Sequence, residues 1–121
     1  MLFRSPNYVY PNKVILPYFD HPLFTRGRAV LANNQDFIAD VLTFEETNEW
    51  FQHVFKTPFF SKIPEKTKKY LLNIKGMARS AVNTKNIALT IFNYDATPYS
   101  AEENLILRRF AYSFEIGRAH V

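Results

Sequence analysis

The segment from Asn86 to Glu115 constrains the fold more than any other part of this sequence, because it holds a strand and a helix with only a short turn between them. From Asn86 to Tyr94, apolar residues occupy both faces of an alternating pattern, which is typical of a strand that is largely buried. One face carries Ile87, Leu89 and Ile91, and the other carries Ala88, Thr90, Phe92 and Tyr94. We therefore expect this strand to contribute to the core.

A helix of about 15 residues is predicted after this strand. Asp95–Pro98 breaks the strand, and Ser100 and Glu103 have the spacing of a capping box, in which each side chain binds the backbone N–H of the other residue. One stripe of this helix is suited to packing, and it consists of Glu103, Leu107, Phe110, Ala111 and Phe114. We expect Leu107 and Ile106 to cover the sheet.

Phe110 and Phe114 lie farther along this helix than the sheet is expected to reach. A short isolated helix is only marginally stable in water, so both rings must pack against something. We expect them to meet the same residues of a second chain in a parallel two-helix seam, which would make the protein a homodimer. The alternative is that both rings cover the core of their own domain.

The strand, the turn Tyr99–Glu103 and the Leu-x-x-Phe-Ala helix resemble the end of a GAF domain, a small sensory module of bacterial signalling proteins. In that family a last central strand and an F-S-x-E-D turn lead into the helix that leaves the domain, and here the turn reads Tyr-Ser-Ala-Glu-Glu. The segment Leu16–Pro22 and the final helix look like the GAF-like input regions of large bacterial sensor proteins. The resemblance covers about thirty residues and is weak before them.

This resemblance implies an α+β fold, with an antiparallel sheet, helices on its faces and a C-terminal exit helix. It also implies a non-catalytic sensory and dimerising input module, whose exit helix leads to a histidine kinase or nucleotide cyclase output domain in the same protein. The cofactor stays unknown, because the chain has no cysteine to attach a bilin and no motif that matches cyclic-nucleotide binding.

We expect residues 1–114 to form one GAF-like sensory domain that lacks the earlier strands of a full GAF sheet at its N-terminus. Gly117 interrupts the apolar stripe after Phe114. The final string Glu-Ile-Gly-Arg-Ala-His-Val resembles the translation of a sequencing-library adapter. Residues 115–121 are therefore expected to be a tail that is not native.

The rest of the chain is predicted to alternate between strands and helices. Asp20 is expected to cap the first helix and Thr43, with Glu46, to cap the second. The predicted elements are a strand at Lys13–Phe19, a helix with Leu23, Phe24, Val30 and Leu31 inward, a strand at Asp36–Leu42, a helix with Thr47, Trp50, Phe51, Val54 and Phe55 inward, a helix from Pro64 to Gly76 with Thr67, Tyr70, Leu71 and Ile74 inward, and a hairpin of Met77–Thr84 with Asn86–Tyr94. Helices grouped around an antiparallel sheet define an α+β fold.

Composition limits the classes of function. The chain has 121 residues, of which 47% are hydrophobic and 17% aromatic, so one domain with a ring-rich core is expected. Cysteine is absent, which excludes disulfides and thiolate metal sites. No apolar run has the length that a bilayer requires and no signal pattern opens the chain, so we expect a cytoplasmic protein without membrane contact.

No catalytic or metal-binding motif is found, and no catalytic or metal-ligating residue is predicted. His21 and His53 lack the spacing of metal ligands. The pairs Glu45–Glu46 and Glu102–Glu103 fall in the first turns of helices, where the helix dipole stabilises negative charge without any catalytic role. The fragment is therefore expected not to be an enzyme.

An aromatic cluster gives the hypothetical ligand site, at Trp50, Phe51, His53 and Phe92. A small-molecule ligand would lie between the sheet and the Thr43–Lys56 helix, where polar groups interrupt an aromatic wall. The alternative is that the rings fill a plain core. We expect Trp50, Phe51, Phe92 and Leu107 all to be substantially buried in one core.

The segment Lys62–Lys75 offers a second class of function. It gathers five lysines around one predicted helix, and the whole chain has a net charge of +4. A basic helix can bind phosphates, so the alternative is a nucleic-acid-associated module. A solvated lysine face is the simpler interpretation, because no arginine stands at a base-reading position. Nucleic acid is therefore not the expected partner.

Overall fold

A computed structural model of the chain describes residues 16–119, with side chains to residue 117. Within this range the chain forms four α-helices, three strands and one 3₁₀ turn at Phe60–Lys62. In chain order the elements are α1 (Pro22–Ala32), β1 (Phe37–Leu42), α2 (Phe44–Val54), α3 (Glu65–Leu71), β2 (Met77–Asn83), β3 (Ala88–Asn93) and α4 (Ala101–Ala119). The mixed architecture agrees with the predicted α+β class.

The three strands form one antiparallel sheet in the order β1-β2-β3. The central strand β2 is buried from Met77 to Val82. β3 alternates between half-buried and exposed residues, because α4 packs on only one of its faces. The predicted hairpin of β2 and β3 is confirmed, but the expectation that the last strand is largely buried is wrong.

α4 packs on one face of the sheet. Leu107 and Ala111 of α4 are buried against Val82 of β2. Ser80 of β2 donates its hydroxyl to Asn104 Oδ1 of α4 at 2.6 Å, on the same face. The half-buried side chains of Phe37, Leu89 and Ile91 pack against this apolar cluster of Val82, Leu107 and Ala111. The prediction that Leu107 covers the sheet is confirmed.

The opposite face of the sheet carries α1 and α2. Phe51 of α2 is buried against Leu42, Met77 and Ile74, which form the second part of the core. Half-buried side chains pack around this group, including Leu23, Trp50, Phe55, Leu71 and Leu72. The helical stripe predicted for α2 is confirmed, since Thr47, Phe51 and Val54 are its buried residues.

Both capping boxes are present as predicted. Thr43 donates its N–H to Glu46 Oε1 at 2.9 Å, and Glu46 donates its N–H to Thr43 Oγ1 at 3.1 Å. At the start of α4, Ser100 N–H donates to Glu103 Oε1 at 2.8 Å, and Glu103 N–H donates to Ser100 Oγ at 3.1 Å. These reciprocal bonds satisfy N–H groups that have no partner inside the helix.

The first part of the chain differs from the prediction. Leu16–Phe19 is irregular rather than a strand, and Lys13–Ile15 lies outside the described residues. Pro17 supplies no N–H for a strand ladder, which explains part of the difference. The cap of α1 is His21 and not Asp20, because His21 Nδ1 accepts the Leu23 N–H at 3.0 Å. Leu31 is exposed rather than inward.

α3 and α4 also end at other residues than predicted. α3 ends at Leu71 instead of continuing to Gly76, and Tyr70 and Thr67 are exposed. Ile74 is buried from the turn that follows α3. α4 continues through Gly117 to Ala119, which is longer than the predicted helix. A glycine lowers helix stability without preventing helical geometry, so the longer helix is physically reasonable.

Candidate functional site

α4 carries an apolar stripe that the described part of the chain leaves exposed. Phe110 is 55% exposed, Phe114 is 52% exposed and Ile106 is 58% exposed. The rings of Phe110 and Phe114 lie next to each other, with centroids 5.0 Å apart. The expectation that Ile106 covers the sheet is wrong. We call Ile106, Phe110 and Phe114 the exposed stripe of α4.

The opposite flank of α4 is fixed to the sheet by a carboxylate. Arg108 Nη1 donates to both oxygens of Asp36, the residue before β1, and Tyr112 donates its hydroxyl to Asp36 Oδ2 at 2.6 Å. The guanidinium of Arg108 also lies 5.0 Å from the centre of the Phe37 ring. These contacts hold one side of α4 against β1, whereas the exposed stripe lies on the other side of the helix.

This arrangement changes the acidity of two groups. The hydrogen bond from Tyr112 lowers the pKa of Asp36 below its ordinary value, against the opposing effect of burial and with help from the charge of Arg108. The same hydrogen bond raises the pKa of Tyr112. Both shifts favour the pairing of an ionised carboxylate with a protonated phenol.

The four residues of the hypothetical ligand site do not share one location. Phe51 is buried in the core, while Phe92 is 39% exposed on β3. Trp50 packs at half burial against the rings of Phe19 and Phe24, with centroids 5.7 and 5.3 Å away. The expectation that Trp50, Phe51, Phe92 and Leu107 are all substantially buried in one core is therefore wrong. Phe92 is exposed, and Phe51 and Leu107 belong to separate core clusters, while Trp50 is half-buried against the cluster of Phe51. Phe92 misses the core because it lies on the face of the sheet that carries α1 and α2, and these helices pack over β1 at the opposite edge.

His53 lines a pocket at the end of α2. Its imidazole stacks on Phe19, with ring centroids 3.9 Å apart and planes at 16°. The pocket has a volume of about 320 Å³ and lies between residues 16–19 and the segment of residues 53–58, which contains the last two residues of α2 and the turn after it. We call it the His53 pocket. Trp50, Phe51 and Phe92 do not line it.

A group of four charges lies between the sheet and α1, and the sequence reasoning did not find it. Arg79 of β2 donates from Nε and Nη2 to the two oxygens of Asp40 on β1, at 2.8 Å each, and from Nη1 to Leu23 O at 2.7 Å. Arg26 donates to Glu46 Oε2 at 2.7 Å and to Asp40 Oδ2 at 3.3 Å. Every charge has a partner, so the group connects elements and offers no free base or nucleophile. The sequence signal that could have predicted this group is a charged residue inside each of two apolar strands, since charged residues are rarely buried without a partner.

His21 has a structural role at the start of α1. The side chain is only 1% exposed. Its Nε2 donates to Glu46 O at 2.6 Å and its Nδ1 accepts from Leu23 N–H. Because a carbonyl can only accept, this pattern places the proton on Nε2. Both nitrogens are used, so His21 joins α1 to α2.

The lysines around α3 border a second, shallower pocket. It lies between α2 and α3, has a volume of about 370 Å³ and is lined by Lys56, Lys68 and Lys69 together with Gln52 and Asn73. The Lys68 ammonium donates to Ser61 O at 2.6 Å and pairs with Glu65 at 3.3 Å. One of the three lysines is therefore already engaged.

Two further observations concern the part of the chain that the structure describes. In residues 16–119, no group of three or more His, Cys, Asp or Glu side chains is placed to hold a metal ion. No helix of the same range combines the length and apolar character that a membrane span needs.

Comparison with known proteins identifies no relative: no family model, no curated protein and no solved structure matches this chain.

Proposed function

We propose that this chain is a non-catalytic sensory input module of a cytoplasmic signalling protein. In this proposal it forms a homodimer through α4, and α4 passes a ligand-bound or conformational state to an output domain in the same protein. The observation that carries the proposal is the exposed stripe of α4. The resemblance of Asn86–Glu115 to the end of a GAF domain supplies the sensory role, the GAF-like topology and the kinase or cyclase output.

A second copy of the chain is the best occupant of the exposed stripe. Two copies of α4 present identical apolar surfaces, and an isologous interface joins the same patch of both subunits. Ile106, Phe110 and Phe114 are spaced four residues apart, so they lie along one side of the helix and can meet a second helix over two turns. Aromatic rings bury a large apolar area on association.

The anchored flank supports the same occupant. Asp36 holds Arg108 and Tyr112, so α4 has a fixed orientation on the sheet. A fixed helix presents Phe110 and Phe114 in a defined direction, and less entropy is lost on pairing than with a free arm. The seam between two such helices is then a continuous route from the sheet to whatever follows α4.

The oligomeric state tests this proposal. We expect the 121-residue chain to be a dimer by light scattering, and Phe110→Glu and Phe114→Glu each to shift it to the monomer, because a charge would be buried in the seam. Leu105→Glu is the matched control, since Leu105 is also an exposed apolar residue of α4 but lies on another side. A monomeric parent chain, or a dimer that persists in both variants, would contradict the proposal.

Cross-linking tests the parallel direction. The chain has no cysteine, so Ile106→Cys and Phe114→Cys each introduce a single thiol. In a parallel seam each variant should form a disulfide-linked dimer with itself under mild oxidation. An antiparallel pair centred on Phe110 would link the two variants only when they are mixed, and that result would refute the parallel arrangement.

The alternative function is a nucleic-acid-associated module that uses Lys62–Lys75. α3 supports it less well, because it has only seven residues and Lys68 is engaged by Ser61 and Glu65. Retention on DNA or RNA that falls steeply with salt would favour this alternative, since phosphate contacts release counterions. No retention at low salt would remove it.

A further inference from the structure

The His53 pocket has the size and wall composition of a small-molecule site. Its volume of about 320 Å³ is at the lower end of the range of roughly 300–1,000 Å³ that ligand pockets occupy. One wall is formed by Pro17, Tyr18 and Phe19, and the other by Val54 and Pro58. Apolar and aromatic side chains therefore dominate, as they do in sites that bind organic ligands.

The polar groups of the pocket decide which ligands fit. The hydroxyl of Thr57 already donates to Val54 O at 2.7 Å, and the hydroxyl of Tyr18 accepts from Arg28. His53 and Lys56 are exposed and make no side-chain hydrogen bond or ion pair with another residue of the described range 16–117. The available polar groups are thus an ammonium and an imidazole.

Among the described residues that line this pocket, none carries a carboxylate. A cationic ligand would meet Lys56 without a compensating charge, whereas an anion would gain a charge-assisted hydrogen bond from it. The imidazole of His53 can donate a second hydrogen bond. The stacking of His53 on Phe19 fixes the plane of this ring beside the apolar wall.

We infer that the His53 pocket binds a small aromatic carboxylate, with the ring against Phe19 and Pro58 and the carboxylate at Lys56 and His53. This inference names a ligand class that the proposed sensory function leaves open. It does not require the dimer, because the described residues that line the pocket belong to one chain and lie outside α4.

Binding of phenylacetate, followed by two-dimensional amide NMR, tests this inference. We expect phenylacetate to shift the resonances of Phe19, His53 and Lys56, and the neutral analogue phenylacetamide to bind more weakly. Lys56→Ala should weaken phenylacetate binding about two- to fivefold, the range expected for an exposed ion pair. Lys69→Ala is the matched control, since this lysine lies on α3 outside the pocket, and it should leave the affinity unchanged.

Three results would overturn the inference. The first is the absence of shifts at these residues at about 10 mM phenylacetate, a concentration about tenfold above a millimolar Kd. The second is equal binding of phenylacetamide, and the third is equal weakening by Lys56→Ala and Lys69→Ala. The titration is repeated on Phe110→Glu after its fold is checked by circular dichroism. If a monomeric variant still binds phenylacetate, ligand binding does not depend on the proposed dimer. If the parent chain is a dimer that does not bind phenylacetate, the inference about the His53 pocket is wrong and the proposed dimer is unaffected.

Discussion

Arg108 donates from Nη1 to both carboxylate oxygens of Asp36, at 3.0 Å to each, although seventy-two positions separate the two residues in the chain. Tyr112, one turn farther along α4, donates to the same carboxylate. α4 is therefore held to the sheet by polar contacts on one flank and by Leu107 and Ala111 beneath it.

Asp36→Asn should remove this polar anchor and part of the acid sensitivity of the protein. The folded pKa of Asp36 lies below its unfolded value, so the carboxylate contributes stability above about pH 4 and loses it as the pH falls through the folded pKa. Because the pair is partly exposed, we expect a loss of about 1 kcal/mol or less at pH 7. Urea melts from about pH 2 to 7 measure this difference.

Glu49→Gln is the control for the pH series, since Glu49 is an exposed acid of α2. Its stability should follow the parent chain at every pH. The prediction fails if the difference between the parent chain and Asp36→Asn stays constant down to the most acidic sample.

Arg79→Met should destabilise the fold strongly. It removes the bidentate partner of Asp40 and leaves this carboxylate, which is mostly buried, with Arg26 alone. We expect a loss of about 3–5 kcal/mol in the free energy of unfolding, as for other broken buried pairs. The double variant Arg79→Met/Asp40→Leu should recover part of this loss, because no uncompensated charge remains. A double variant less stable than Arg79→Met would contradict the electrostatic explanation.

Gly76→Ala and Gly27→Ala should have opposite effects. A Cβ at Gly76 would overlap the carbonyl oxygen of Leu42, the last residue of β1, so the pairing of β1 with β2 must shift. Gly27 lies inside α1, and among the described residues a Cβ there would meet only Arg79 Nη1, at the ordinary contact distance of 3.9 Å. Thermal melts should show a loss above about 2 kcal/mol at Gly76 and a gain of up to about 1 kcal/mol at Gly27. Equal effects at both positions would argue against this close contact.

Phe51→Ala should lower stability far more than Phe92→Ala. Phe51 is buried against Leu42 and Met77, so its removal leaves a cavity and should cost about 3–5 kcal/mol. Phe92 is partly exposed on β3 and should cost about 1–2 kcal/mol, near the average for point variants. Urea melts of both variants decide this, and equal losses would place Phe92 in the core after all.

Thr47→Val should stabilise the protein. Thr47 is fully buried in α2, and its hydroxyl has no hydrogen-bond partner within the described part of the chain. Valine has nearly the same shape without the buried polar atom, so we expect a gain of about 1 kcal/mol in thermal melts. Thr67→Val on the exposed side of α3 is the control and should change little. A loss of stability at Thr47 would indicate that its hydroxyl is satisfied.

Local sequence signals predicted most of the elements. The capping boxes at Thr43 and Ser100 and the stripe of α2 depend on residues three or four positions apart, so a short window contains all the information. The hairpin of β2 and β3 was predictable for the same reason. The coarse α+β class follows from these elements.

Long-range contacts were not predictable from such patterns. The exposure of Phe92 follows from the packing of α1 and α2 over β1, at the opposite edge of the sheet from β3, which no local pattern reveals. Asp40 and Arg79 meet only because β1 pairs with β2. The His53 pocket needs the irregular segment Leu16–Phe19, where alternation and turn residues had predicted a strand. Of the residues predicted for a ligand, His53 alone lines it.

The sheet register has a consequence for the order of folding. In the hairpin, Asn83 pairs with Ala88 across a short turn, whereas the nearest pair of β1 and β2, Leu42 and Met77, closes a loop that contains α2 and α3. Closing the longer loop carries a larger entropic penalty. β2 and β3 should therefore form first and serve as the template, and the arrival of β1 should set the rate at which this protein reaches its native state.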